Sequence, residues 1–322
     1  MILWDQYSYY IGGKLNIMET NKIKLFSYVH KVKGIKNWVL EDLMNGKLFV
    51  VTDDDFNISE LKKSLIENEL AFETKGESVN KYIFNIEPYE DYVRLRNLYI
   101  RITGKCLYDC NNCGEFCLCY RNQNDRDINN KVLDKIILQF KSIPVENLII
   151  TGGNPFIKCE IIKTLKKEIK AEQYLILFKN PLKDSSGYND CTGMGFDIIT
   201  NPLYKVPITE SNMKVDPFIF FYSQKFNLCL GHSIGLDVDG TIKPCLWYNE
   251  GLGNILDNDI KFMIQTGGFD KYWDLNKDKV TKCKNCEFRY ACTDCRAIVK
   301  SKNLPSHSAP IHCDYNPSKG TW

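Results

Sequence analysis

The chain has 322 residues, 44% of them hydrophobic and 25% charged, the make-up of an ordinary globular protein with room for two or three domains of roughly 100–200 residues each. Lys and Arg number 42 against 40 Asp and Glu, a formal net charge of +2, so no overall field points to nucleic acid or an anionic membrane as a partner. No apolar run approaches the ~18 residues a spanning helix needs, and Met1 to Gln6 lacks the basic-then-apolar order of a secretory signal, so the chain reads as cytoplasmic.

Residues 1–95 contain no Cys. Tyr7 to Tyr10, the Gly12-Gly13 turn and Lys14 to Met18 predict a hairpin, and Asn45-Gly46 followed by Lys47 to Val51 predicts a turn and a strand. Asn57 with Glu60 is a capping-box pattern opening a helix that carries Leu61, Leu65, Ile66 and Leu70 on one face. Lys81 to Ile86 predicts a returning strand. The result is a small α+β unit with no catalytic constellation, which suits binding better than chemistry.

Residues 96–225 follow a different pattern. Leu98 to Thr103 is strand-like, Leu133, Ile136, Ile137 and Phe140 recur at helical spacing, and Leu148 to Ile150 is an apolar run ending in Gly152-Gly153. Ile161, Ile162, Leu165 and Ile169 form a second helical face before a strand at Tyr174 to Phe178. This β-α-β-α-β order implies a parallel sheet with helical crossovers. Phe196 to Thr200 and Phe218 to Tyr222 are weaker strand candidates. Residues 226–322 are loop-rich, with too few periodic apolar stretches for a large core, so bound metal is expected to hold much of this region together.

The chain has 14 Cys, all beyond Lys105. Grouped cysteines in a chain without an export signal are more often metal ligands or catalytic groups than a disulfide framework. Cys106, Cys110 and Cys113 form C-x3-C-x2-C just past the first strand of the parallel unit. Three thiolates on one loop can hold three irons of a cubane cluster and leave the fourth open to a substrate or cofactor. A zinc site is the alternative, but structural zinc takes four ligands and would need Cys117 or Cys119 to join. The next strand ends in Thr151-Gly152-Gly153-Asn154-Pro155. Paired glycines there either expose backbone groups to a ligand or serve a turn with φ > 0.

A three-Cys loop after the first strand and a GGEP-like motif after the second resemble the radical S-adenosylmethionine (SAM) superfamily. The resemblance implies a [4Fe–4S] cluster on Cys106, Cys110 and Cys113, with SAM on its open iron and Gly152, Gly153, Asn154 and Pro155 at the methionine amino group. It also implies a 5′-deoxyadenosyl radical that takes hydrogen from the substrate. Asn112 stands where the family usually has an aromatic residue beside the adenine, and Asn154 stands where it has an acid. The barrel it implies is truncated, with fewer βα units than the family norm.

Further on come Cys229-x15-Cys245, with Gly240 before the second, then Cys283-x2-Cys286-x5-Cys292-x2-Cys295, and finally Cys313. Two zinc ribbons are the plain alternative. The spacing resembles the SPASM domain that follows the barrel in many radical SAM peptide maturases, and Gly235 to Gly240 reads as the strand and tight turn feeding its second Cys. That resemblance implies two auxiliary [4Fe–4S] clusters, one on Cys283, Cys286, Cys292 and Cys313, the other on Cys229, Cys245 and Cys295. The second lacks a fourth Cys. His232 is one candidate to complete it, and a thiolate of the substrate is another. Cys159 and Cys191 read as small packing residues, while Cys117 and Cys119 are evenly balanced between packing and a local role beside Tyr120 and Arg121.

The tail from Cys313 to Trp322 is similar to that of the grasp-with-spasm maturases, which act beside an ATP-grasp ligase. The implied fold is α/β: a small winged-helix-like α+β domain for leader-peptide recognition, a truncated partial (β/α) barrel and a C-terminal Fe–S domain. The implied function is radical modification of a ribosomally made precursor peptide, by thioether or other cross-link formation. It would use SAM, three [4Fe–4S] clusters and a reductant such as flavodoxin or ferredoxin. The rivals are anaerobic sulfatase-type side-chain oxidation and a SAM-inactive scaffold that presents a peptide to a ligase.

Overall fold

The computed structural model describes residues 22–52, 58–74, 93–106, 126–178, 195–199 and 207–322. The expected hairpin at Tyr7 to Met18, the Asn57 cap and the strand at Lys81 to Ile86 lie outside the described residues.

The N-terminal unit begins with β1 (Lys22–Leu25), β2 (Val29–Lys33), β3 (Trp38–Asp42) and β4 (Lys47–Val51), continues through helix α1 (Ile58–Glu67) and ends with β5 (Ala71–Thr74). Strands β2, β3 and β4 form an antiparallel sheet in that order, and β1 pairs antiparallel with β5. Ile23, Val29, Leu40, Leu65 and Leu70 share one small core. Ile66, expected on the buried face of α1, is 38% exposed, because the helix buries only the stripe centred on Leu65. The strand at Lys47 to Val51 forms as the preceding Asn45-Gly46 turn implies, with Gly46 at φ +66°.

The parallel unit comprises β6 (Leu95–Thr103), α2 (Asn130–Phe140), β7 (Val145–Gly152), α3 (Cys159–Glu168), β8 (Ala171–Leu177) and β9 (Asp197–Ile199). Asn129 caps α2, its side-chain oxygen accepting from Val132 N at 2.9 Å. Leu98, Ile100 and Ile102 of β6, Val132, Ile136 and Phe140 of α2, and Leu148 and Ile150 of β7 belong to one core. By the period-two rule Tyr99, Arg101 and Thr103 face the other side of the sheet.

Two expectations change beyond residue 207. Phe218 to Tyr222 lies in a helix, α4 (Pro217–Lys225), rather than a strand. Asp216 caps it by accepting from Ile219 N at 3.1 Å, and Pro217 occupies the first helical position, so the helix-start signal outweighs the aromatic run. Residues 226–322 also contribute more core than their pattern implies. Strand β10 (Ser233–Leu236) pairs in parallel with β6, and β11 (Thr241–Lys243) and β12 (Gly253–Asn254) extend the edge antiparallel. The sheet order is β12-β11-β10-β6-β7-β8-β9. Ile234, Leu236, Ile242, Ile260, Phe269 and Trp273 join the main core from short, aperiodic segments, because the sheet supplies the apolar partner that these segments lack locally. No helix among the described residues is long and apolar enough to cross a membrane.

A buried ion network ties the new strands to the old. Arg101 donates to Asp237 at 2.9 Å and Lys243 donates to its other oxygen at 2.9 Å. Burial raises the Asp237 carboxyl, but Arg101 and Lys243 outweigh it and hold the group below its usual range.

The N-terminal sheet packs on the C-terminal region. Val39 shares a core with Phe288 and Tyr315, and the His30 ring lies 4.6 Å from Phe220. On the same face, opposite His30, Glu41 is fully buried, and neither of its oxygens has a hydrogen-bond partner among the described residues. Burial pushes its carboxyl up to about 8, with Arg289 pulling weakly the other way. A carboxyl raised on folding takes up a proton with the native state, so stability falls as pH rises from the unfolded value towards about 8. Glu41→Gln is expected to match the wild type below the unfolded carboxyl value, near pH 4, in urea denaturation. It should then gain on the wild type by up to about 1.4 kcal/mol per pH unit as pH rises towards the folded value.

Candidate metal centres

The ends of β6 and β7 form the first site. Cys106 follows β6 after Gly104 and Lys105; Cys110, Asn112, Cys113, Cys117, Cys119, Tyr120 and Arg121 lie outside the described residues. The Gly152–Pro155 loop follows β7 and lies directly against the base of the Cys106 loop. Gly153 N donates to Thr103 O at 3.0 Å and Asn154 N donates to Lys105 O at 2.7 Å. A Cβ on Gly153 would sit 2.2 Å from Lys105 O, and one on Gly152 2.5 Å from Thr103 O. Neither glycine adopts positive φ. The glycine pair is therefore required by close backbone approach rather than by a left-handed turn, and the N–H groups of Gly153 and Asn154 are committed to the neighbouring loop. The Asn154 side chain caps the short helix Pro155–Lys158, accepting from Phe156 N at 3.1 Å.

Asp127, which the sequence patterns did not single out, fastens this corner. Its carboxylate accepts from Thr103 Oγ1 at 2.6 Å and Lys105 Nζ at 3.0 Å, and pairs with Lys158 Nζ at 2.7 Å. Burial raises the carboxyl slightly, but hydrogen bonds from Lys158, Thr103 and Lys105 bring it down to about 2. One acid thus binds both loops. A lone Asp in a polar stretch carries no sequence signal for such a role.

Cys229, Cys245 and Cys295 lie within electrostatic reach of one another and make a second candidate site. Asn227 holds the first, its side-chain oxygen accepting from Cys229 N at 2.9 Å and Leu230 N at 2.8 Å. Cys245 follows the β10–β11 turn, in which Gly240 takes φ +84°. Cys295 caps the helix α7 (Arg296–Ser301), which follows α5 (Ile260–Gln265) and α6 (Asp270–Trp273) in the chain. The Cys229 thiol donates to Cys295, which raises Cys229 and lowers Cys295 to about 7; backbone N–H groups of Ile298 and Ala297 help, against burial. Burial and the Cys295 charge push Cys245 up to about 12. The Tyr248 hydroxyl is buried within electrostatic reach of all three thiols and has no hydrogen-bond partner among the described residues.

Cys283, Cys286, Cys292 and Cys313 line one cavity, together with Lys277 and Phe288. Burial is the leading cause that raises Cys283, Cys286 and Cys292, the last to about 12. Among the described residues no three His, Cys, Asp or Glu side chains converge as a single ion requires. Four thiols around one partly open cavity suit a polynuclear centre, whose cationic metals would relieve the cost of burying thiolates together. The three-thiol site, with its partnerless phenol, offers a hydrogen-bond donor to a sulfur-rich anion. Both donor sets fit iron–sulfur clusters.

Asp294 lies between the two sets, in the turn from Cys292 to Cys295. It accepts from buried Lys277 and from Arg296, whose Nη1 also donates to the carbonyls of Ser306 at 3.1 Å and Ser308 at 2.7 Å. Burial opposes ionisation of Asp294, but Lys277 and Arg296 hold its carboxyl below the usual range.

His232, one candidate for the fourth ligand of the three-thiol set, is fully buried. Its Nδ1 lies 2.9 Å from the Tyr222 hydroxyl, its ring packs against Phe226 and Trp273, and its carbonyl accepts from Arg96 N at 2.8 Å at the start of β6. Cys159 packs on the main core as expected, and is also disulfide-bonded. Cys191 lies outside the described residues.

Asp127→Asn is expected to cost about 1 kcal/mol near neutral pH, after discounting for solvent screening. Because the folded carboxyl is depressed, that difference is present above the unfolded value and shrinks as pH falls towards about 2, which urea midpoints at several pH values check. Asp294→Asn leaves two buried cations uncompensated and should cost about 3–5 kcal/mol in the same assay.

Residues 95–183 match a family described as a 4Fe-4S single cluster domain, a stretch that takes in Cys106, Cys110, Cys113 and the Gly152–Pro155 loop. No curated protein matches the chain. Among solved structures, Streptococcus suis SuiB bound to its precursor peptide SuiA is 11% identical over 91% of this chain and 100% of its own, with a TM-score of 0.41. Native anSMEcpe with bound AdoMet is 15% identical over 67% of this chain and 93% of its own, with a TM-score of 0.45. BtrN in an open conformation is 12% identical over 60% of this chain and 92% of its own, with a TM-score of 0.39. The stretch that supplies the parallel strands β6, β7 and β8 is thus similar to a single-cluster 4Fe–4S domain.

Proposed function

We propose that this protein is a radical SAM enzyme that modifies a ribosomally made peptide. In this reading residues 1–95 recognise the leader, 96–225 hold the SAM site and 226–322 carry two auxiliary clusters. The observation that carries the reading is the pair of hydrogen bonds from Gly153 and Asn154 to Thr103 and Lys105, which brings the GGEP-like loop to the loop that begins the three-Cys motif. The match to a 4Fe-4S single cluster domain over the same stretch supports it.

Cys106, Cys110 and Cys113 would hold the first cluster; with SAM bound, that centre supplies a 5′-deoxyadenosyl radical for hydrogen abstraction. Gly152 to Pro155 and Asn112 would orient SAM, and Asp127 keeps the two loops in register. Cys283, Cys286, Cys292 and Cys313 would hold one auxiliary cluster and Cys229, Cys245 and Cys295 the other, with Tyr248 as its donor. A low-potential reductant completes the reaction. The tail residues Tyr315 and Trp322 pack edge-on and tilted against Phe288 beside the four-thiol cavity, so the tail belongs to this domain; a partner ATP-grasp ligase acting on the same peptide is part of the proposed reading.

One observation favours a second reading. The Asn154 side chain is spent on a local cap, which suits a SAM-independent scaffold that presents the peptide to a ligase. SAM cleavage separates the two. Anaerobically prepared, reduced protein is expected to contain iron and sulfide at three clusters' worth and to release 5′-deoxyadenosine. Replacing Cys106, Cys110 and Cys113 together by Ala should abolish that release and spare the iron of the other two sites. Zinc in place of iron overturns the cluster reading; intact clusters without SAM cleavage favour the scaffold.

A further inference from the structure

The four-thiol site is placed asymmetrically. Cys283 and Cys292 are buried, while Cys286 and Cys313 are half-buried. Trp322 lines the same cavity, is 44% exposed, and has its ring centroid 4.9 Å from that of Tyr315 and 5.8 Å from that of Phe288. The outer edge of any centre held there therefore comes to the surface beside an exposed indole.

Three separate segments build the surrounding surface. Ile35 N donates to Asn285 O at 2.9 Å, Arg289 Nη1 donates to Lys33 O at 2.7 Å, and Asn37 Nδ2 donates to Gly320 O at 3.3 Å. Lys282 Nζ donates to Cys313 O at 2.9 Å. These bonds join residues 31–37, 282–289 and 313–322 into one face. The face carries seven Lys and Arg side chains against two acids, Glu287 and Asp314, although the whole chain is only +2. Glu287 is fully buried under the Tyr315 hydroxyl, and Arg289 pairs with the exposed Asp278 at 2.8 Å, so Asp314 and Asp278 are the acids at the surface and the lysines carry the excess charge. Lys33, Lys284 and Lys319 are exposed, as is Ile35 at 55%. The charge is thus concentrated here, and the rest of the molecule is net acidic.

We propose that this face docks a small acidic one-electron carrier protein, which passes electrons to the metal centre of the four-thiol site. The inference rests on the metal-centre reading above. The charge requires an anionic partner. The proximity of the thiols and of Trp322 makes that partner a redox protein, and a small basic patch with two exposed apolar side chains suits the low-area encounters of electron transfer, commonly below about 1,200 Å². In each encounter the reduced carrier loses one electron and the centre gains one; no bond forms or breaks and no proton moves. An oligonucleotide or an anionic membrane would use the charge but not the thiol edge.

The test uses the full-length, iron-loaded protein with flavodoxin hydroquinone as the probe. Lys33→Glu, Lys284→Glu and Lys319→Glu are combined in one variant, and the same positions changed to Gln in another. Calorimetric affinity and stopped-flow reduction at low ionic strength are expected to fall by at least about tenfold in the Glu variant and less in the Gln variant, and the salt dependence of the wild type should vanish. Reduction by photoreduced deazariboflavin, a small neutral molecule, should not change, which separates docking from damage to the centre. Unchanged flavodoxin affinity, or tighter charge-dependent binding to anionic vesicles or an oligonucleotide, overturns the proposal. Iron measured in the same samples distinguishes the two levels: its absence overturns the metal-centre reading, whereas iron with no charge dependence overturns the docking surface alone.

Discussion

The close backbone approach between the ends of β6 and β7 is the constraint on which the first site depends. Parallel pairing of β6 with β7 carries Thr103 to Gly152, and the chain then allows no side chain where Gly152 and Gly153 pass the carbonyls of Thr103 and Lys105. The two loops behave as one unit because their amides are satisfied by each other rather than by solvent. Asp127 adds charge to that geometry. It draws Lys105 from one loop and Lys158 from the other to a single carboxylate, so the positions of both loops are coupled through one side chain.

The second organising feature is the use of the parallel sheet by the C-terminal third. Strand β10 lies against β6, on the opposite side from β7, and the segment that carries Cys245 is led over Gly235, where a Cβ would sit 2.9 Å from Leu246 N. The candidate three-thiol site is therefore built against the strand whose far end bears Cys106. Tyr99, on that strand, lies within electrostatic reach of Cys229, Cys245 and Cys295, which links the two regions through the polar face of the sheet.

Buried charge marks the joints between the parts. Arg101, Asp237 and Lys243 join β6 to the β10–β11 turn, and Lys277, Asp294 and Arg296 join the two thiol sets. Such networks are costly to desolvate and costly to break, but they demand one arrangement of their partners. Glu41 is the contrast: a buried acid that feels Arg289 only electrostatically and has no hydrogen bond among the described residues, at the seam between the N-terminal sheet and the rest.

The sequence by itself determined the local elements and the chemistry of the ligands. Helical spacing marked α2 and α3, the Asn45-Gly46 turn before a short apolar run marked β4, and the apolar run before Gly152 marked β7, since each depends on neighbours a few residues away. Cysteine spacing marked a loop group near the middle of the chain and a C-terminal group, whereas the division of the latter into two sets is what the family resemblance implies. Only the tertiary structure decided what depends on distant contacts. Phe218 to Tyr222 became helical because an Asp-Pro start overrode an aromatic run. The aperiodic apolar residues beyond Leu230 found a core only because the sheet offered one. Asp127 acquired its role from two lysines in separate loops, and the glycine pair from carbonyls nearly fifty residues away in sequence. The basic face likewise exists only where three segments converge, and a nearly neutral composition conceals it because opposite charge elsewhere in the chain cancels the sum.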